Sequence, residues 1–283
     1  MIHAPAYTAP FWSRAPVVLT IHDVSYALHP EWYPYRKDWM RRAFYRQSAR
    51  AASRIVTVSN FSAREISTAY HVPLERITVA PLGVDAGFSP RRGDSPCELP
   101  VGVTEPYVLH VGDLHERRNL GVALEAVIEA RRHSRASSTL SLVLAGIDRG
   151  VTDGLRAIAG NAGVPDAVVH LGTVSEERLR TLYRCAAALV YPSLYEGFGL
   201  PVIEAMASGT PVIGSRAASI PEVLGNAGVL LDPLDVRGWT EAIVKVINDE
   251  QCRGRMREAG LARAGEFTWE RTARITLEVY RRA

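Results

Sequence analysis

The sequence predicts an α/β protein built on two parallel, doubly wound sheets, and three observations carry that expectation. Short β-branched runs alternate with stretches whose apolar residues recur every three or four positions, the grammar of βαβ units. Two such series flank a turn-rich segment, GVDAGFSPRRGDSPCELPVG at 83–102. Glycine-containing turns stand between strand and helix at two places in the second series, where open α/β sheets bind ligands.

The first series has strands at VVLTI (17–21), RIVTVS (54–59) and ITVAP (77–81). Three strands fall short of a doubly wound domain of roughly 150 residues. The first domain, residues 1–95, is therefore expected to be incomplete at its N-terminus. The second, 96–266, has six: YVLHV (107–111), LSLVLAG (140–146), AVVHLG (167–172), AALVY (187–191), PVIGS (211–215) and GVLL (228–231). Residues 267–283 read as a single helix, its pattern marked by Trp269, Ala273, Ile275, Thr276, Val279 and Tyr280.

Composition excludes several classes. With 283 residues and 47% hydrophobic side chains the chain has no need of a covalent or metal staple. A net charge of +3, from 33 basic and 30 acidic residues, implies no nucleic acid. The charge is uneven: 12 basic against 7 acidic residues in 1–95, and 21 against 23 beyond, so two parts with different surfaces are expected. Cys97, Cys185 and Cys252 are odd in number and far apart, and read as thiols of a reducing compartment, with no zinc site. No apolar run reaches ~18 residues and no signal-peptide pattern opens the chain, so the expected location is cytoplasmic.

The most informative stretch is YPSLYEGFGLPVIEAMASGTPVIGS, 191–215. A strand ends at Tyr191 and a helix opens at Pro201, the residue suited to a first helical position. Backbone N–H groups of Gly197, Phe198, Gly199, Leu200 and Val202 are then placed to meet an anion such as phosphate. Glu196 and Glu204 bracket this turn with seven residues between them. A carboxylate matches the vicinal hydroxyls of a ribose or sugar, accepting one hydrogen bond from each. Alone, Glu204 is explained as a helix-dipole partner and the glycines as a tight turn. Jointly they point to a ligand.

A second strand, glycine turn and helix start lies in VGDLHERRNL, 111–120, with Asn119 as expected N-cap. Arg117 and Arg118 stand before a helix N-terminus, where a cation opposes the dipole. A diphosphate shared by this helix and the one opening at Pro201 would resolve the conflict.

These residues, with IHDVSY (21–26), TVSNFSAREI (57–66) and VAPLGVD (79–85), resemble the retaining nucleotide-sugar glycosyltransferases of glycosyltransferase family 4. That family has the GT-B fold, two facing Rossmann-like domains, and the likeness runs from near Met1 to about Trp269. The resemblance implies that Glu204 binds the ribose hydroxyls, and that Glu196 with the amides of Gly197, Phe198, Gly199 and Leu200 holds the transferred sugar and the phosphates. It places Gly112, Arg117 and Arg118 at the diphosphate, Val174 where the backbone reads the base, and His22 near the donor sugar. Arg118 falls where the family usually has lysine, and Asp113 where many members carry arginine. The implied chemistry is transfer of a hexose, mannose first, from a nucleoside diphosphate sugar to a saccharide or lipid-linked saccharide, with retention at the anomeric carbon. The first domain would bind the acceptor and the second the donor. No cofactor is expected, and no metal: no Asp-x-Asp or H-E-x-x-H spacing is present.

Two further expectations follow. In the stretch 36–54, Arg42, Arg46, Arg50 and Arg54 share one helical face, which fits peripheral contact with anionic lipid at the inner face of a membrane or a solvated face over a core. A second reading of the whole chain, from a different class, is a truncated nucleotide-sugar-binding chain that cannot transfer. A nicotinamide oxidoreductase is disfavoured, since Val202 stands where a third glycine would.

Overall fold

The computed structural model describes residues 1–33, 37–91, 93, 97–133 and 135–283. Arg36, at the head of the basic stretch, and residues 94–96, at the expected domain boundary, lie outside the described residues. The strands are β1 (Ile2–Ala4), β2 (Val17–Thr20), β3 (Arg54–Thr57), β4 (Ile77–Val79), β5 (Tyr107–Val111), β6 (Ser141–Ala145), β7 (Val168–His170), β8 (Ala188–Tyr191), β9 (Val212–Ser215) and β10 (Val229–Leu231). The α-helices are α1 (Ser25–Leu28), α2 (Trp39–Ala51), α3 (Asn60–Tyr70), α4 (Leu120–His133), α5 (Thr152–Asn161), α6 (Glu176–Cys185), α7 (Leu200–Ala207), α8 (Ile220–Leu224), α9 (Val236–Asn248), α10 (Glu250–Ala264) and α11 (Trp269–Arg282).

One compact unit comprises Met1–Gly83, Tyr195–Gly199 and Phe267–Ala283. Its four strands are parallel, in the order β1-β2-β3-β4. The period-2 alternation of a strand sends Leu19, Ile21 and Ile55 to one face, against Ala49 of α2 and Ile66 of α3. Val18, Val56 and Ala80 form the other core, closed by Val279 of α11. The C-terminal helix is pinned at both ends. Its Thr272 Oγ1 donates to the Pro81 carbonyl at 2.5 Å, and Tyr280 Oη lies 2.7 Å from His3 Nδ1. Gly83 is required here, because a Cβ would fall on the backbone of Trp269. β1, of sequence IHA, holds a single β-branched residue, so no β-branched run announces it in the sequence.

The other unit comprises Val84–Leu194 and Leu200–Glu266. The first unit's leading segment thus ends at Gly83, and residues 84–91 belong to the second instead of to a domain ending at 95. Its six strands are parallel in the order β10-β9-β8-β5-β6-β7. Counted from β5, that is the 3-2-1-4-5-6 arrangement of a doubly wound dinucleotide-type sheet. Leu142 and Leu144 of β6, Val190 of β8 and Ile213 of β9 pack with Leu124 and Val127 of α4 and Trp239 and Ile243 of α9.

The cysteines correct the sequence reading. Cys97 and Cys185 form a disulfide, with Cα atoms 6.3 Å apart, and only Cys252 is free and buried. The partners lie 88 positions apart, so no local spacing announces the bond, and the cysteines offer no support for a reducing compartment. No helix among the described residues is long and apolar enough to cross a membrane.

Candidate active site

The second sheet reverses its strand order between β5 and β8, so the loops at the carboxyl ends of these strands flank a topological switch point, where open α/β sheets take ligands. The loop after β5 holds Gly112, Asp113, Arg117 and Arg118; the segment after β8 leads into α7 and Glu204. Leu194 N–H donates to the Arg117 carbonyl at 2.8 Å, joining the two. Asn119 sits before α4 as expected but in left-handed conformation (φ 55°), and its side-chain amide donates to Pro192 and Pro233 carbonyls at 3.4 and 2.6 Å. It ties together the turns after β5, β8 and β10.

Two glycines shape the floor. Gly112 has φ 126°, and a Cβ there would lie 3.3 Å from Arg118 Nη2. A Cβ on Gly146, after β6, would fall on the Gly112 carbonyl, so the two turns touch backbone to backbone. Arg118 is buried, at 8% exposure. Its Nη1 donates to Tyr191 Oη at 2.7 Å, its Nε to the Asp113 carbonyl at 3.4 Å, and its guanidinium carbon lies 5.5 Å from the Tyr191 ring centroid. A planar fork held on an aromatic face is what arginine offers and lysine does not. Tyr191 also stacks on His110, centroids 5.3 Å apart. Burial, and then the Arg118 charge, push His110 down to about 3. His110 is therefore neutral at physiological pH, and its Nδ1 donates to the Val190 carbonyl at 3.1 Å.

Glu204 lies beyond the first turn of α7, which holds no acidic residue, so a helix-dipole partnership does not account for it. Burial pushes its carboxyl up, against the downward pull of the Tyr183 hydroxyl, which donates to Oε2 at 2.8 Å. Val174 is half-buried in the segment between β7 and α6.

Leu200 opens α7 in the second unit, and the remaining predicted residues lie in the first. Gly197 needs space and not a special φ: a Cβ would stand 2.5 Å from the His22 carbonyl. Its own carbonyl accepts from Ser59 Oγ at 2.6 Å and Ser62 Oγ at 3.1 Å, at the start of α3. Gly199 has φ 111° and makes the turn. Phe198 sends its ring into the core, edge to face with Phe267 at 5.7 Å, and Glu196 is buried. His22, just past β2, is half-buried, and desolvation lowers its pKa against the upward pull of Asp23. His110, Tyr183 and Tyr191 escaped the sequence reading, because each reads there as an ordinary core residue of a strand or helix.

The pattern described as "Glycosyl transferases group 1" matches residues 95–263, and that of "Glycosyltransferase Family 4" matches 1–88. The chain belongs to the glycosyl transferases group 1 family. It is 34% identical over 287 residues to O-antigen chain mannosyltransferase B of Escherichia coli, covering 99% of this chain and 73% of that one. It is also 34% identical to the MMP alpha-(1->4)-mannosyltransferase of Mycolicibacterium hassiacum, with 95% and 66% covered, and 32% identical to a D-inositol 3-phosphate glycosyltransferase of Arthrobacter, with 82% and 56% covered. The chain thus spans about half to three-quarters of the length of these relatives.

The fold is GT-B. Sucrose-phosphate synthase from Thermosynechococcus elongatus superposes with a TM-score of 0.76 at 23% identity, covering 94% of this chain and 67% of that one. Anabaena Alr3699/HepE, solved in complex with UDP-glucose, gives 0.76 at 21%, with 95% and 72% covered. Asp113 stands where the resemblance drawn from the sequence implied an arginine. Its carboxylate pairs with Arg149 of the loop after β6 at 2.8 Å, so the charge at this turn is neutralised by its neighbour.

Proposed function

We propose that this chain transfers a hexose, mannose first, from a nucleoside diphosphate sugar to a saccharide or lipid-linked saccharide, with retention of anomeric configuration. The observation that carries the proposal is the buried Arg118, held on Tyr191 beside the Gly112 turn at the switch point of the second sheet. A buried cation at a strand-order reversal suits a diphosphate, and there it stabilises the charge that develops on the leaving nucleotide. That is the role a metal ion fills elsewhere, and we propose that no cofactor or metal is needed. Glu204 is assigned to the ribose, the Val174 backbone to the base, and Glu196 and His22 to the transferred sugar. Mannose is supported by the two mannosyltransferase relatives.

The deciding experiment is calorimetric titration of the chain with UDP, GDP and ADP. One should bind selectively, and Arg118→Ala should weaken it by about 2–5 kcal/mol, the cost of removing one member of a buried charge pair. A loss below a few tenths of a kcal/mol would remove Arg118 from the diphosphate. Incubation with the matching mannose donor and a mannoside acceptor then reads transfer, and the one-bond carbon–proton coupling at the anomeric centre of the product reads retention. Tight nucleotide binding without transfer would favour the binding-only reading.

We also propose that α2 meets an anionic membrane surface. The stripe is shorter than the sequence suggested: Arg54 lies in β3, and Arg50 Nε is spent on the Tyr70 carbonyl at 2.9 Å. Ala49 of this helix joins the core, but its larger apolar side chains toward the N-terminal end do not. Trp39, Met40 and Phe44 are 68%, 65% and 44% exposed, and Trp12 is 94% exposed. Phe11 meets Phe44 at 4.6 Å with the rings tilted by 56°, joining the two segments in one aromatic patch, and Arg42 and Arg46 line a surface cavity with Trp39.

A further inference from the structure

A carboxylate that grips a ribose must present its free lone pairs in a fixed direction, and glutamate has three rotatable bonds with which to miss. In this chain Glu204 is held. Tyr183 of α6 is fully buried and places its hydroxyl 2.8 Å from Glu204 Oε2. The tyrosine is itself fixed from two sides. Its carbonyl accepts from Thr210 Oγ1 at 2.5 Å, and its ring meets Phe88 edge to face at 5.7 Å. Two positions further on, Cys185 anchors the end of α6 through its disulfide to Cys97. Burial and the neighbouring Glu204 carboxylate keep the phenol protonated, so it can only donate to an ionised partner.

We infer that Tyr183 is a positioning residue, aiming the Glu204 carboxylate so that the pocket selects ribonucleoside diphosphates over their 2′-deoxy counterparts. This rests on the assignment of Glu204 to the ribose. The phenol occupies one lone pair of Oε2 and leaves both oxygens able to accept from hydroxyls 2 and 3 of the sugar. Without it the side chain is free to rotate, and one fixed acceptor direction is lost. The diphosphate contacts, which lie with Arg118, are untouched.

The test compares GDP, UDP and ADP with their 2′-deoxy forms by calorimetry, on the full chain and its variants. The unaltered protein should prefer the ribonucleotide. Tyr183→Phe should reduce that preference by roughly 3- to 10-fold, the scale of one hydrogen bond, and leave the affinity for inorganic pyrophosphate unchanged. In a Glu204→Gln background the same substitution should add nothing, because the two residues act as one unit. A Tyr183→Phe protein that keeps the full ribose preference overturns the positioning role. If Glu204→Gln also keeps it, the ribose assignment itself fails, which separates the two ideas. Should Tyr183→Phe not melt cooperatively, Glu204→Asp draws the carboxylate back from the phenol by one methylene while leaving the tyrosine in place. It should show the same loss, and an intact preference there would equally sink the inference.

Discussion

Arg149 grips Asp113 from across two loops, with Nη2 at 2.8 Å and Nε at 3.1 Å from the same carboxylate oxygen. Both side chains are about half exposed, at 52% and 48%, so the pair adds little to stability. Its importance is to the charge at the switch point. Asp113 follows Gly112 directly, and its backbone carbonyl accepts from Arg118. Removing the acid while keeping the shape, in Asp113→Asn, should tighten nucleoside diphosphate binding several-fold at low salt, an effect that fades as ionic strength rises. Arg149→Ala leaves the acid uncompensated and should weaken binding. Salt-dependent calorimetry checks both, and equal affinities in the two variants would place this pair outside the field of the diphosphate site.

Much of this was legible from residue order alone. Nine of the ten strands among the described residues lie within predicted runs, because buried parallel strands read as short β-branched stretches. The turns at Gly112 and Gly197 were legible because glycine alone suits them, Gly112 for its φ of 126° and Gly197 because the His22 carbonyl passes so close. What escaped was set by contacts between residues distant in sequence. Tyr183 and Glu204 stand 21 positions apart, Arg118 and Tyr191 stand 73 apart, and Cys97 and Cys185 stand 88 apart. A partner across such a separation leaves no periodic trace. The exposure of Trp39, Met40 and Phe44 on α2 left no trace either, since helical spacing does not say which apolar residues are covered.

The disulfide closes a long loop, from the segment before β5 to the end of α6. Chain-entropy reasoning gives a bond between partners 88 positions apart about 4–5 kcal/mol, through restriction of the unfolded ensemble. Cys185→Ser should therefore lower the unfolding free energy by that amount, read from a lower urea midpoint, and adding reductant to the unaltered protein should reproduce the shift. Alkylation followed by mass measurement supplies the count: one thiol labelled in denaturant without reductant, three after reduction. Three labelled in both conditions would mean that the bond does not form.

The aromatic patch of α2 predicts binding to vesicles that carry acidic headgroups. Trp39, Met40 and Phe44 supply apolar insertion, while Arg42 and Arg46 each add about 1 kcal/mol near an anionic surface. The protein should co-sediment with phosphatidylglycerol-containing vesicles and much less with phosphatidylcholine alone. Arg42→Ala with Arg46→Ala should lower the bound fraction, and Trp39→Ala should lower it without changing its salt dependence. Equal binding to both vesicle types would remove the electrostatic part, and none to either would return the patch to solvent.

His110 predicts how the fold responds to acid. Its side chain has no exposure, it stacks on Tyr191, and burial with the Arg118 charge holds its pKa at about 3 instead of 6.5. Above pH 6.5 the ring is neutral whether the chain is folded or unfolded, and it contributes no pH dependence. As pH falls below that value, the unfolded chain takes up a proton that the folded one refuses. Stability is lost at up to about 1.4 kcal/mol per pH unit, and the loss continues until the folded value is reached, about 5 kcal/mol in all. His22 is shifted in the same direction and adds to the slope. The clean window is pH 5 to 6.5, above the range where most carboxylates titrate. There, the plot of unfolding free energy against pH should be shallower in His110→Asn, whose amide can still donate to the Val190 carbonyl, even though that variant is less stable at pH 7. Parallel plots for the two proteins would mean that His110 can acquire its proton inside the fold, and that the Arg118–Tyr191–His110 stack is open to water.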